Sequence, residues 1–93
     1  MKKLPPRNTI QTKPLTREHV TTSVVRVMSQ QFGINKSQIE LTKPLVEHGT
    51  DSLDKIEFVI ALEEEFGIDI SDETADSLNT ADEFITYILL ARK

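Results

Sequence analysis

The chain has 93 residues, a net charge of −4, no cysteine, no tryptophan, one tyrosine and four phenylalanines. This length suits one small domain with a modest core, and without cysteine there is no disulfide framework, thiol nucleophile or thiolate metal site. No apolar run approaches the length of a bilayer span, so stable membrane insertion is not expected.

Charge is distributed unevenly. Residues 1–17 hold five bases and no acid (+5), which leaves −9 for the rest of a chain whose total is −4. Residues 47–76 carry eleven acids against one base, Lys55. Such an acidic face argues against a nucleic-acid surface and favours basic protein partners reached by electrostatic steering.

Residues 1–15 contain three of the four prolines and no helical periodicity. They read as a flexible basic tail ahead of a domain spanning 16–93. The tail is either an arm for a dedicated partner or anionic surface, or an extension without a role. Lys2 and Lys3 make a basic start. Pro5, Pro6, Arg7 and Asn8 stand where a secretory leader would have its apolar core, so a cytoplasmic protein is expected; a monomer is expected as well.

A first helix is predicted from Thr16, with Glu18 favourably placed in its first turn. Val20, Val24, Val27 and Met28 form one apolar stripe, and Gly33 ends the helix. Residues 34–50 read as a long connection without a repeat. Ile34, Ile39, Leu41, Leu45 and Val46 would pin it to the core, while Pro44 opposes a helix through its middle. Loops this long are usually functional.

A second helix is predicted over Ser52 to Phe66, with Gly67 as its stop. Leu53, Ile56, Val59, Ile60, Leu62 and Phe66 cover more than one narrow stripe. One or two helical turns follow around Glu73 to Ser77. Thr80 and Glu83 match a capping box, and Ala81, Phe84, Ile85, Ile88 and Leu89 make the inward face of the last helix. Arg92 and Lys93 complement its negative end. No strand-like alternation appears. The fold expected is all-α, a small bundle of three main helices plus one short helix.

The junction before the second helix carries the chemistry. Asp51 is a strong N-cap residue, which places Ser52 at about the first helical position with its hydroxyl outside the helix. Unpaired first-turn amides and the positive dipole end favour a phosphate there. Alone, Asp-Ser-Leu is a common capping signal. With the following Ala61-Leu62-Glu63-Glu64-Glu65-Phe66, however, Gly49-Thr50-Asp51-Ser52-Leu53-Asp54 resembles the prosthetic-group motif of the acyl carrier proteins of fatty-acid synthesis. The resemblance runs from about Glu18 to Ile88.

The resemblance implies a non-enzymatic carrier whose Ser52 holds 4′-phosphopantetheine through a phosphodiester, its thiol bearing acyl groups as thioesters. It implies loading by a phosphopantetheinyl transferase from coenzyme A, and delivery to acyl-transfer and synthase enzymes with basic docking patches. Asp51, Asp54, Glu57, Glu63 and Glu64 would meet Arg and Lys on those partners, with Leu53, Ile60 and Ile70 as apolar contacts. Ile60 and Ile70 fit burial equally well. Leu62, Ile68, Ile70, Ile85 and Leu89 would line a cleft for the acyl chain. Two departures stand out. His48 occupies a place where related carriers usually have leucine, and Lys55 interrupts the acidic face.

Other readings remain beside this one. The cargo fits polyketide, amino-acid or specialised lipid assembly as well, and an acidic adaptor without a prosthetic group would share the charge pattern. Metal and hydrolase chemistry fit poorly. Asp69 to Glu73 lack EF-hand spacing, and His19 and His48 are far apart with no HExxH. Ser52 has no Gly-x-Ser-x-Gly elbow.

Overall fold

The computed structural model describes residues 16–91. The proposed tail, Arg92 and Lys93 lie outside them. Four α-helices are present: α1 (Arg17–Phe32), α2 (Ser52–Phe66), α3 (Asp72–Ser77) and α4 (Ala81–Ala91). Among the described residues there is no strand, only an isolated bridge between Pro44 and Thr80.

Each helix starts where the sequence supplies a side-chain acceptor. The Thr16 hydroxyl accepts the His19 N–H at 3.1 Å, and the Ser71 hydroxyl accepts that of Thr74 at 3.1 Å. Thr80 and Glu83 form the expected reciprocal box, the Glu83 N–H reaching Thr80 Oγ1 at 3.1 Å and the Thr80 N–H reaching Glu83 Oε1 at 3.3 Å. Each such cap contributes about 1 kcal/mol. α1 ends at Gly33, in the left-handed region at φ 66°, a conformation that residues with a Cβ rarely adopt. The N–H groups of Gly33 and Ile34 both reach the Ser29 carbonyl, at 3.0 and 3.3 Å. α2 ends in the same way, with Gly67 and Ile68 on the Glu63 carbonyl at 2.9 and 3.2 Å.

α1 packs against both α2 and α4. Val20, Val24, Val27 and Met28 are buried as the periodicity predicts, and so are Ala81, Phe84, Ile85 and Ile88 of α4. Leu89 is only partly buried. The centre is aromatic. Phe58 is fully buried, its ring centroid 5.4 Å from that of Phe32 and 5.2 Å from that of Phe84. Tilted and edge-on pairs of this kind add about 0.5–1.5 kcal/mol each beyond burial. On the surface, Arg26 bonds Glu65 at 2.6 Å, joining α1 to the end of α2, while Arg17 reaches Asp82 and Thr86 of α4.

The long connection is more ordered than its sequence suggested. It contains two 3-10 turns, Lys36–Gln38 and Leu45–His48. It is stitched to the start of α4, with the Leu45 N–H on the Asn79 carbonyl at 2.8 Å and the Asp82 N–H on the Leu41 carbonyl at 2.9 Å. Leu45 is buried and Ile39 and Leu41 pack on the core. Val46 does not anchor the loop, being 67% exposed. It sits in a 3-10 turn whose inward position Leu45 has already taken.

Candidate functional site

The loop and α2 meet at the predicted serine. Pro44 opens the second 3-10 turn and Gly49 closes it at φ 83°, a backbone conformation that strains any residue with a Cβ. The Thr50 hydroxyl donates to the Leu45 carbonyl at 2.9 Å, drawing the chain back over the turn. Asp51 then caps α2. Its Oδ1 accepts the Asp54 N–H at 2.9 Å, and Asp54 Oδ2 accepts the Asp51 N–H at 3.0 Å. Ser52 follows as the first residue of α2 and is exposed.

This start leaves usable donors. Asp51 accepts from the amides of Asp54 and Lys55. Among the described residues the N–H groups of Ser52 and Leu53 have no partner. Two free amides and the positive end of a 15-residue helix therefore adjoin an exposed hydroxyl. Negative charge is stabilised at such a place. The donor set fits a phosphodiester on Ser52 Oγ.

A groove of about 450 Å³ opens between α2 and α3. Lys55, Ile56, Val59, Ile60 and Glu63 form one wall, and Ile70, Asp72, Ala75 and Asp76 the other. Its size falls within the range of small-ligand clefts. Glu63 holds the walls together, its Oε2 accepting the Ile70 N–H at 2.8 Å. Ile56 and Ile60 are 55% and 48% exposed, while Phe58, Val59, Leu62 and Phe66 are buried. The excess apolar width of α2 thus divides into a core stripe and an open strip beside it.

The predicted residues sort accordingly. Asp51, Ser52, Leu53 and Asp54 come together at the start of α2, with Leu53 59% exposed. Glu57 and Glu64 are exposed farther along. Glu63 is partly buried and spends one carboxylate oxygen on Ile70. Ile70 is 5% exposed, so it belongs to the groove wall rather than to the outer surface. Of the five residues expected to line a cleft, Ile70 alone lines this groove. Leu62 and Ile85 are fully buried core, and Ile68 and Leu89 pack against that core from its edge. Ile56 and Val59 were legible only as helical apolar positions, and nothing in the spacing of Asp72, Ala75 and Asp76 assigned them to a groove.

His48, the first of the two departures, is half-buried and bonded within the loop. One ring nitrogen, Nε2, accepts the Glu40 N–H at 3.1 Å, and Nδ1 lies 3.2 Å from the Pro44 carbonyl. The imidazole thus pins two parts of the loop together. A leucine could make neither bond.

The family described as "Phosphopantetheine attachment site" matches residues 22–88. A curated acyl carrier protein from Cyanidioschyzon merolae is 35% identical over 80 residues, covering 85% of this chain and 88% of that protein. The chain therefore belongs to the acyl carrier protein family, carries acyl groups, and holds 4′-phosphopantetheine as a covalent prosthetic group.

Proposed function

We propose that Ser52 is the attachment residue, and that this protein is a non-catalytic carrier serving enzymes of fatty-acid or related lipid synthesis. The observation that carries the reading is the placement of Ser52: exposed, first in α2, and beside two amides without partners. In loading, Ser52 Oγ attacks the phosphorus of coenzyme A that bears the pantetheine. The new P–O ester forms as the bond to adenosine bisphosphate breaks, and the hydroxyl proton passes to a base of the transferase. Once attached, the group supplies a thiol that bears acyl cargo as a thioester.

The chain's own residues hold and present that cargo. The amides of Ser52 and Leu53 stabilise the phosphodiester charge. Asp51 and Asp54 fix the helix start that keeps the serine outside. Asp51, Asp54, Glu57 and Glu64, with Leu53 and Ile60 between them, form a docking face for basic patches on client enzymes. Glu63 contributes its free oxygen. The apolar strip of Ile56, Val59, Ile60 and Ile70 shelters an acyl chain. The carrier acts as a monomer, its domain spans 16–93, and its cysteine-free composition suits a reducing compartment, for which we propose the cytoplasm.

Family membership brings interaction with a phosphopantetheinyl transferase and acyl-handling enzymes, and it sets aside an adaptor lacking a prosthetic group. The test is intact mass. Treatment with a transferase and coenzyme A should add one phosphopantetheine to the wild type and none to Ser52→Ala. No gain by the wild type, or an equal gain by the variant, refutes the assignment. Mass analysis of the acyl species attached in cells separates fatty-acid cargo from polyketide, amino-acid or specialised lipid cargo.

A further inference from the structure

Lys55 is out of keeping with its helix. Every other charged residue of α2 is an acid: Asp54, Glu57, Glu63, Glu64 and Glu65. A cation one turn inside a helix start faces the positive end of the dipole and is disfavoured there. Among the described residues no carboxylate lies within ion-pair distance of its ammonium group. Asp72 and Asp76 stand on the opposite wall of the groove, and the inner oxygen of Glu63 is taken by the Ile70 amide. Lys55 therefore sits in an acidic field, with Asp51 and Asp54 before it on the helix, yet makes no direct ion pair of its own.

Its position relates it to Ser52. The two residues are three apart on one helix, hence neighbours on its surface, with Cβ atoms about 5–6 Å apart. Lys55 is also the residue at the serine end of the groove wall. A flexible four-carbon stem gives its ammonium reach in that neighbourhood.

We infer that Lys55 binds the phosphodiester of the prosthetic group on Ser52 and holds it toward the groove between α2 and α3. The inference rests on Ser52 being the attachment residue. The free amides of Ser52 and Leu53 meet the anion at the helix end, and Lys55 meets it from the groove side. Together they bias the root of the arm toward Ile56 and Ile60 and away from solvent. The phosphodiester supplies the negative charge that no protein carboxylate brings within ion-pair distance of Lys55. A charge-assisted contact of this kind is stronger than one between neutral groups, and salt weakens it when exposed.

The test uses the full chain loaded from coenzyme A, as wild type, Lys55→Arg, Lys55→Met and Lys55→Glu. Phosphorus NMR should show a resonance that moves with added salt in the wild type and in Lys55→Arg. In Lys55→Met that dependence should be lost. The arm thiol should react with a neutral maleimide roughly two- to five-fold faster in Lys55→Met than in wild type, the span expected for losing one exposed ion pair. Lys55→Glu should exceed Lys55→Met. Urea midpoints of the unloaded proteins identify any variant that has lost its fold, and Lys55→Arg should restore wild-type behaviour in both readouts. Identical phosphorus shifts and thiol rates across the loaded, folded variants overturn the inference and leave the Ser52 assignment standing. A wild type that gains no arm overturns both.

Discussion

Asp51 and Asp54 exchange backbone amides across the first turn of α2, each carboxylate accepting the other residue's N–H at 2.9–3.0 Å. Two acids that suggest recognition by their charge alone are therefore also the fastening of the helix that presents Ser52. Asp51→Ala should destabilise the fold by about 1 kcal/mol, and Asp51→Asn, which keeps an oxygen acceptor, by less. Urea denaturation of the unloaded chain measures both. Equal stability of Asp51→Ala and wild type would show that the box contributes nothing. Any loss of loading in Asp51→Ala should then be compared with Asp51→Asn before charge is credited.

A second prediction concerns the turn that delivers the serine. Gly49 has φ 83°, yet a Cβ built there meets nothing within 4 Å. The demand for glycine is thus conformational and not steric. Gly49→Ala should cost about 1–2 kcal/mol, the penalty for a left-handed residue bearing a Cβ. Gly49→Asn should cost less, because asparagine tolerates that region. Thermal unfolding of the three proteins gives the order, and an alanine variant as stable as wild type would contradict it.

How much of this was legible in the residues depends on the range of the interactions involved. Local rules located the helix starts at Thr16, Asp51 and Thr80, and the stops at Gly33 and Gly67, because a cap is a contact over three or four positions. The stripes of α1 and α4 followed from spacing for the same reason. Periodicity could not divide the broad apolar surface of α2. Phe58 is core because Phe32 and Phe84 come to it from distant parts of the chain. Ile56 stays open because α3 leaves a groove there. The exposed place of Ser52 at the start of α2 was readable since Asp51 is a local cap. The groove was not, because its far wall of Ile70, Asp72, Ala75 and Asp76 is set by a tether from Glu63 that spacing does not reveal.

The division of α2 yields a third prediction. Phe58 is fully buried and Leu53 is 59% exposed. Phe58→Ala should cost about 3–5 kcal/mol, the range for emptying an aromatic core position. Leu53→Ser should change stability by less than about 0.5 kcal/mol while lowering transferase kcat/KM on the docking-face reading. Chemical denaturation and loading kinetics on the same samples separate the two effects. A Leu53→Ser variant loaded as efficiently as wild type would remove Leu53 from that face.

The last prediction turns on His48. Its ring joins the Glu40 amide to the Pro44 carbonyl within the segment that ends at Ser52. His48→Leu installs the residue that the family resemblance leads one to expect at this position, but loses both bonds. Because His48 is only half-buried and water can reach the released groups, the cost should be modest, about 0.5–1.5 kcal/mol for each bond lost. The sharper readout is local. Amide hydrogen exchange at Glu40 should accelerate in His48→Leu, while exchange at core amides of α1 changes only by the global loss of stability. His48→Gln, which keeps a donor and an acceptor on a longer and more flexible stem, should fall between. Unchanged exchange at Glu40 in the leucine variant would mean that the imidazole does not pin the loop in solution.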